Sequence, residues 1–134
     1  MLKTYRIFVS HAWTYNDEYY KLMSMLDAAS NFYYQNYSVP EHDPLHTRTN
    51  RELEQELYHQ IRPTNIVIIL AGMYVSYRRW IQKEINIALK MDKPMIGIMP
   101  WGSQGIPQAV QDAADEIVGW NTSSIVRAIR ENAL

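Results

Sequence analysis

The chain has no cysteine, so it has no disulfide framework, no thiol nucleophile and no cysteine-type zinc site. No apolar run approaches the roughly 18 residues a membrane-spanning helix needs, and the opening MLKTYRIFVS is no signal peptide. Neither sign of charge dominates: a net charge of −1 gives no general pull towards nucleic acid or an anionic membrane surface. The phosphate-cradling patterns G-x-G-x-x-G and G-x-x-x-x-G-K-[ST] are both missing. Repeats, linkers and low-complexity tracts are missing too. What remains is a single domain, residues 1–134, long enough for a sizeable core, with the cytoplasm as its default address.

Apolar periodicity orders the elements that are there. YRIFVS (5–10) is a short apolar run ending at polar residues, as a buried strand does. Tyr19, Leu22, Met23, Leu26 and Ala29 then recur at helical spacing, with Asn16 placed to cap. FYYQNYSV (32–39) alternates and is aromatic, which predicts a strand. Thr49 and Glu52 form a T-x-x-E capping box for a helix carrying Leu53, Leu57 and Ile61 on one face, ended by Arg62-Pro63. NIVIILAG (65–72) and KPMIGIMP (93–100) are apolar on both faces, as central parallel strands are. A short helix from about Pro107, a strand EIVGW (116–120) and a helix capped by Asn121 or Thr122 complete the chain.

Five strands alternating with helices predict a three-layer α/β domain with a parallel sheet of order 2-1-3-4-5. Ligands bind such sheets beyond the carboxyl ends of strands 1 and 3, where the strand order reverses. The residues leaving those ends are SHAWTY and AGMYVSYRRW.

The helix in YRRWIQKEINIALKM (77–91) carries an anomaly. On a wheel with Trp80 at zero, the polar side chains Gln82, Lys83, Asn86 and Lys90 gather between about 200° and 300°. Glu84 falls at about 40°, inside the apolar arc, between Trp80 and Ala88. Burying an ionised carboxylate costs several kcal/mol unless it is paired or reaches water. Glu84 is therefore either a core acid satisfied by an arginine or by backbone donors, or the wall of a cleft.

RIFVSHAW, IVIILAG followed by RRWIQKEINIAL, KPMIGIMPWG and IVGWN resemble the TIR-like family of the Thoeris anti-phage systems. That family is a flavodoxin-like relative of Toll/interleukin-receptor domains, and the likeness covers nearly the whole chain. Its most specific part is the W-x-x-x-E-x-x-x-A spacing of Trp80, Glu84 and Ala88. The resemblance implies that Glu84 is catalytic and that NAD is a substrate, with no cofactor needed. It further implies that the products are nicotinamide with ADP-ribose or a cyclised or conjugated form, that a separate effector protein reads the product, and that the chain can form a homo-oligomer. TIR-like folds also serve as non-enzymatic assembly modules, which is the alternative reading. Two positions before the tryptophan, where many TIR-type sequences have a small polar residue, stands Arg78, with Ser76 two places further back.

The chemistry suits one carboxylate. A usual glycosidase needs two, one of them to protonate the leaving oxygen. Nicotinamide is bound to ribose as a cation and departs neutral, so no general acid is required. One acid can hold the ribose hydroxyls and stabilise the oxocarbenium-like charge, or trap it covalently.

The remaining candidates gather around the switch point. Ser10 and His11 close strand 1 and offer a pocket wall. Trp13 stacks on a planar ring or covers the core. Asp43, in the loop that overhangs the site in TIR-like folds, binds ribose or is a solvated loop acid. Tyr74 and Ser76 precede the helix within reach of a ligand, and Trp80 is core and pocket wall. Arg78 and Arg79 face a pyrophosphate or solvent. No metal is expected, because Pro44 denies the histidines of HDPLH the helical spacing of a ligand pair. A phosphoacceptor domain needs an aspartate at the end of the central strand, where Ala71 and Gly72 stand.

Overall fold

A computed structural model describes residues 3–10, 17–38, 50–74, 78–99 and 105–134. Its elements are β1 (Thr4–Ser10), α1 (Asp17–Ala28), β2 (Tyr33–Asn36), α2 (Asn50–Ile61), β3 (Ile66–Leu70) and α3 (Ala71–Tyr74). They continue with α4 (Arg78–Lys90), β4 (Met95–Ile98), α5 (Gln108–Ala113), β5 (Glu116–Val118) and α6 (Thr122–Asn132). The five strands form one sheet of order β2-β1-β3-β4-β5, parallel at every pairing.

The order follows from the residues. All five side chains of β3 are fully buried, so it cannot sit at an edge or face water on either side. β2 is mostly exposed and takes an edge. Right-handed crossovers then place α1 on one face and α2, α4 and α5 on the other, with α6 returning to the first. The packing agrees, since α1 lies on α6, and α4 lies on both α2 and α5. The helices bury the stripes their spacing predicts: Leu22 and Leu26 of α1, Leu57 and Ile61 of α2, Ile81, Ile85 and Ala88 of α4. Gly97 in β4 permits the close approach of α5, because a Cβ there would stand 3.0 Å from Val110 Cγ1.

Several boundaries differ from those read in the sequence. The run NIVIILAG leaves the sheet after Leu70 and coils into α3. Ser10 pairs with Ile69 and Leu70 with Ile98, so the described ladders on both sides of β3 end there and Ala71 has no strand to pair with. β2, β4 and β5 are likewise shorter than their apolar or aromatic runs. The caps proposed at Asn16 and Thr49 lie outside the described residues.

The amino end of the sheet is tied by polar groups. Asn65 Oδ1 accepts from Arg6 N at 2.7 Å, Asn65 N donates to Arg6 O at 2.7 Å, and Lys93 Nζ donates to the carbonyls of Arg62 and Thr64. α4 stops without a glycine. Asp92 adopts a positive φ of 54°, and Lys93 N returns to Ala88 O at 2.9 Å, satisfying an end carbonyl. Among the described residues no helix is long and apolar enough to cross a membrane.

Asn121, not Thr122, caps α6: its Oδ1 accepts from Ser124 N at 3.1 Å. Asn121→Ala is expected to cost about 1 kcal/mol of folding stability, while Asn121→Ser keeps most of it. The midpoints of urea unfolding curves measure the difference.

Candidate functional site

α4 rises from the carboxyl end of the sheet, and Glu84 lies in its second turn. The wheel position is realised, for Glu84 is 2% exposed among Ile81, Ile85 and Ala88. Ser10, the last residue of β1, is fully buried. Its Oγ donates to Glu84 Oε1 at 2.8 Å. The end of β1 is held in place for this. Tyr37 N donates to Ile7 O at 2.8 Å, and beyond β2 the buried Ser38 Oγ accepts from Val9 N at 2.8 Å. The contact therefore joins the carboxyl end of β1 to a helix that follows β3.

Burial pushes the Glu84 carboxyl well above the ordinary value of 4.5, and the Ser10 hydrogen bond opposes that only in part. Among the described residues no lysine, arginine or histidine pairs with it. No arginine among the described residues therefore satisfies Glu84 as a core acid. Its partner is a hydroxyl, which helps a carboxylate without neutralising it.

The other predicted residues fall differently. Trp80, in the first turn of α4, is half-buried against the core. Tyr74 is buried, but its hydroxyl donates to Gln82 Oε1 at 2.6 Å, and Gln82 Nε2 donates to Asn86 Oδ1 at 3.0 Å. Gln82 and Asn86 lie on the polar side of α4, away from Glu84. Tyr74 thus lines a separate groove with Arg78, Arg79, Lys83 and Lys90. His11, Trp13, Asp43 and Ser76 lie outside the described residues, as does the HDPLH segment. Of the predicted set, the structure brings Ser10 and Glu84 together.

One acid escaped the sequence reading. Glu18, in the first turn of α1, is 9% exposed, and among the described residues its Oε1 has no hydrogen-bond partner. Burial raises its carboxyl above the ordinary value. The side chain lies across the start of α3, where a Cβ on Gly72 would stand 2.6 and 2.8 Å from its two oxygens. Glycine is what lets the carboxylate lie there. The sequence did carry the signal: Glu18 heads the i, i+4 row that continues through the buried Leu22 and Leu26, as Glu84 sits in the apolar stripe of α4. Among the described residues no three acidic or histidine side chains converge as a metal site would require.

A parallel 2-1-3-4-5 sheet with a buried acid from the helix after its third strand has the layout of a TIR-like domain. The family model of the Thoeris protein ThsB, TIR-like domain, matches residues 8–105, and the chain belongs to that family. Among solved structures, the crystal structure of a prokaryotic SEFIR domain is similar at a TM-score of 0.49 and 15% sequence identity, over 95% of this chain and 94% of that one. No curated protein matches.

Ser10 and Glu84 should respond to substitution in opposite directions. Below pH 4.5, Glu84 is protonated whether the chain is folded or not. As the pH rises past that value, the unfolded carboxyl releases its proton while the folded one keeps it, so stability is lost. Glu84→Gln removes this loss. Its melting temperature is expected to match the wild type near pH 4 and exceed it at pH 7. Ser10→Ala instead strips the buried acid of its donor, at about 1–3 kcal/mol, and lowers the melting temperature at pH 7. Calorimetry at the two pH values reads both effects.

Proposed function

We propose that this chain cleaves the nicotinamide–ribose bond of NAD and converts the remainder into an ADP-ribose-derived signal, cyclic in form, that a separate effector protein reads during anti-phage defence. Membership of the Thoeris ThsB family supports the defence setting. The observation that carries the chemistry is Glu84: a carboxyl withdrawn from water at the carboxyl end of the sheet, with a serine hydroxyl and no described cation as its partner.

Such a group has a missing counter-charge, and NAD brings one. The pyridinium ring is positive before cleavage, and the ribose carbon becomes positive as the bond breaks. Either charge lowers the cost of ionising Glu84 in its apolar surroundings, where an opposite charge acts more strongly than in water. Stabilisation that grows as charge develops lowers the barrier, whereas equal binding of substrate and transition state does not. The C–N electron pair leaves on nicotinamide, which departs neutral, so no acid has to protonate it. Ser10 fixes one carboxylate oxygen and leaves the other for the ribose. An assembly module gains nothing from an acid held in this way.

Incubating the purified chain with NAD should release free nicotinamide, measured by liquid chromatography. Glu84→Gln keeps shape and removes charge, and should lower that release by roughly 10²–10³-fold. Equal release by the wild type and the variant would remove Glu84 from the chemistry.

A further inference from the structure

We propose that Glu18 is a second carboxylate acting at the same end of the sheet, the base that takes the proton from the hydroxyl attacking the ribose carbon. This inference rests on the NAD reading above and assigns the half of the reaction that Glu84 does not cover.

The placement of Glu18 carries the argument. It enters from α1, on the face of the sheet opposite α4, and lies on Gly72, two residues past the end of β3. Ser10 and Glu84 meet at the end of β1, the strand paired with β3. The two acids thus reach one end of the sheet from opposite faces, at the point where the strand order reverses. Glu84 has one oxygen committed to Ser10. Among the described residues nothing donates to Glu18 Oε1, although the side chain is nine-tenths buried. A buried carboxylate oxygen without a donor is costly in a fold that has no use for it. An incoming hydroxyl is the donor it lacks. Burial also makes Glu18 a stronger base than an exposed glutamate, as proton removal near neutral pH requires.

The step balances without an oxidant or reductant. The acceptor oxygen, from water or from a hydroxyl of the same nucleotide, forms a bond to the ribose carbon. The bond from that carbon to nicotinamide breaks, with its electron pair leaving on the ring nitrogen. The acceptor proton passes to Glu18 and then to solvent.

A pyridine base separates the two roles, because its ring nitrogen attacks with a lone pair and has no proton to lose. The full chain is incubated with NAD and 3-acetylpyridine, and chromatography follows both the exchanged dinucleotide and the ADP-ribose products. Glu18→Gln should lower the ADP-ribose products by about 10²-fold or more and leave exchange within a few-fold of wild type. Glu84→Gln should lose both. Gly72→Ala is the second variant: its methyl displaces the Glu18 carboxylate without altering its chemistry, and should reproduce the selective loss even where Glu18→Gln does not fold. Equal loss of both reactions in folded Glu18 and Gly72 variants, or loss of neither, overturns the assignment of Glu18 while leaving Glu84 in place. A wild-type chain that performs neither reaction overturns the NAD reading itself.

Discussion

β3 is buried on both faces and paired along both edges, and this constraint organises the rest of the chain. A strand of Ile66–Leu70 with no exposed side chain requires a helical layer above and another below, with β1 and β4 alongside. Polar groups are then confined to the ends of the sheet. At the amino end they are matched: Asn65 binds Arg6 through side chain and backbone, and Lys93 finds two carbonyls. At the carboxyl end, among the described residues, they are matched less fully. Glu84 meets a single hydroxyl, and one oxygen of Glu18 has no described partner. The two ends of the sheet therefore differ in how the described polar groups are satisfied.

That asymmetry has an energetic meaning. Two buried acids with so few described partners cost the fold stability, and stability given up locally commonly marks a place where binding restores it. The two differ in what they lack among the described residues. Glu84 has a hydroxyl donor but no cation, and Glu18 Oε1 has no donor, so a ligand suited to both would bring a cation and a hydroxyl. NAD and its acceptor bring both, which is why the proposed reaction draws on the two carboxyls together.

Much of this was legible in the sequence because burial leaves periodic traces. The apolar runs of β3 and β4 gave the parallel sheet, and their alternation with helices gave its order. Glu84 was visible because a 13-residue helix fixes its wheel well enough for one misplaced acid to stand out. Glu18 was easier to overlook: an acid in the first turn is what any helix carries to meet its dipole, so its place at the head of the row of Leu22 and Leu26 stood out less than that of Glu84. The end of β3 was hidden too. Nothing in Ala71-Gly72 separates the last residue of a strand from the first of a helix. That boundary is set by where the neighbouring strands stop. Tyr74 looked like a ligand contact by position alone, and its hydroxyl goes instead to Gln82, a preference that depends on how α3 meets α4.

The contact between Ser10 and Glu84 spans 74 positions of the chain. It belongs to no hairpin and no local turn, and it requires β1 to have paired with β3 and α4 to have docked over both. Closing loops of this length is the slow, entropically costly part of folding a parallel sheet. A nascent or partly unfolded chain can hold its helices and still have no such pair. The pair of Ser10 and Glu84 therefore exists only in chains whose long-range strand and helix pairings have formed, and it is absent wherever they are not.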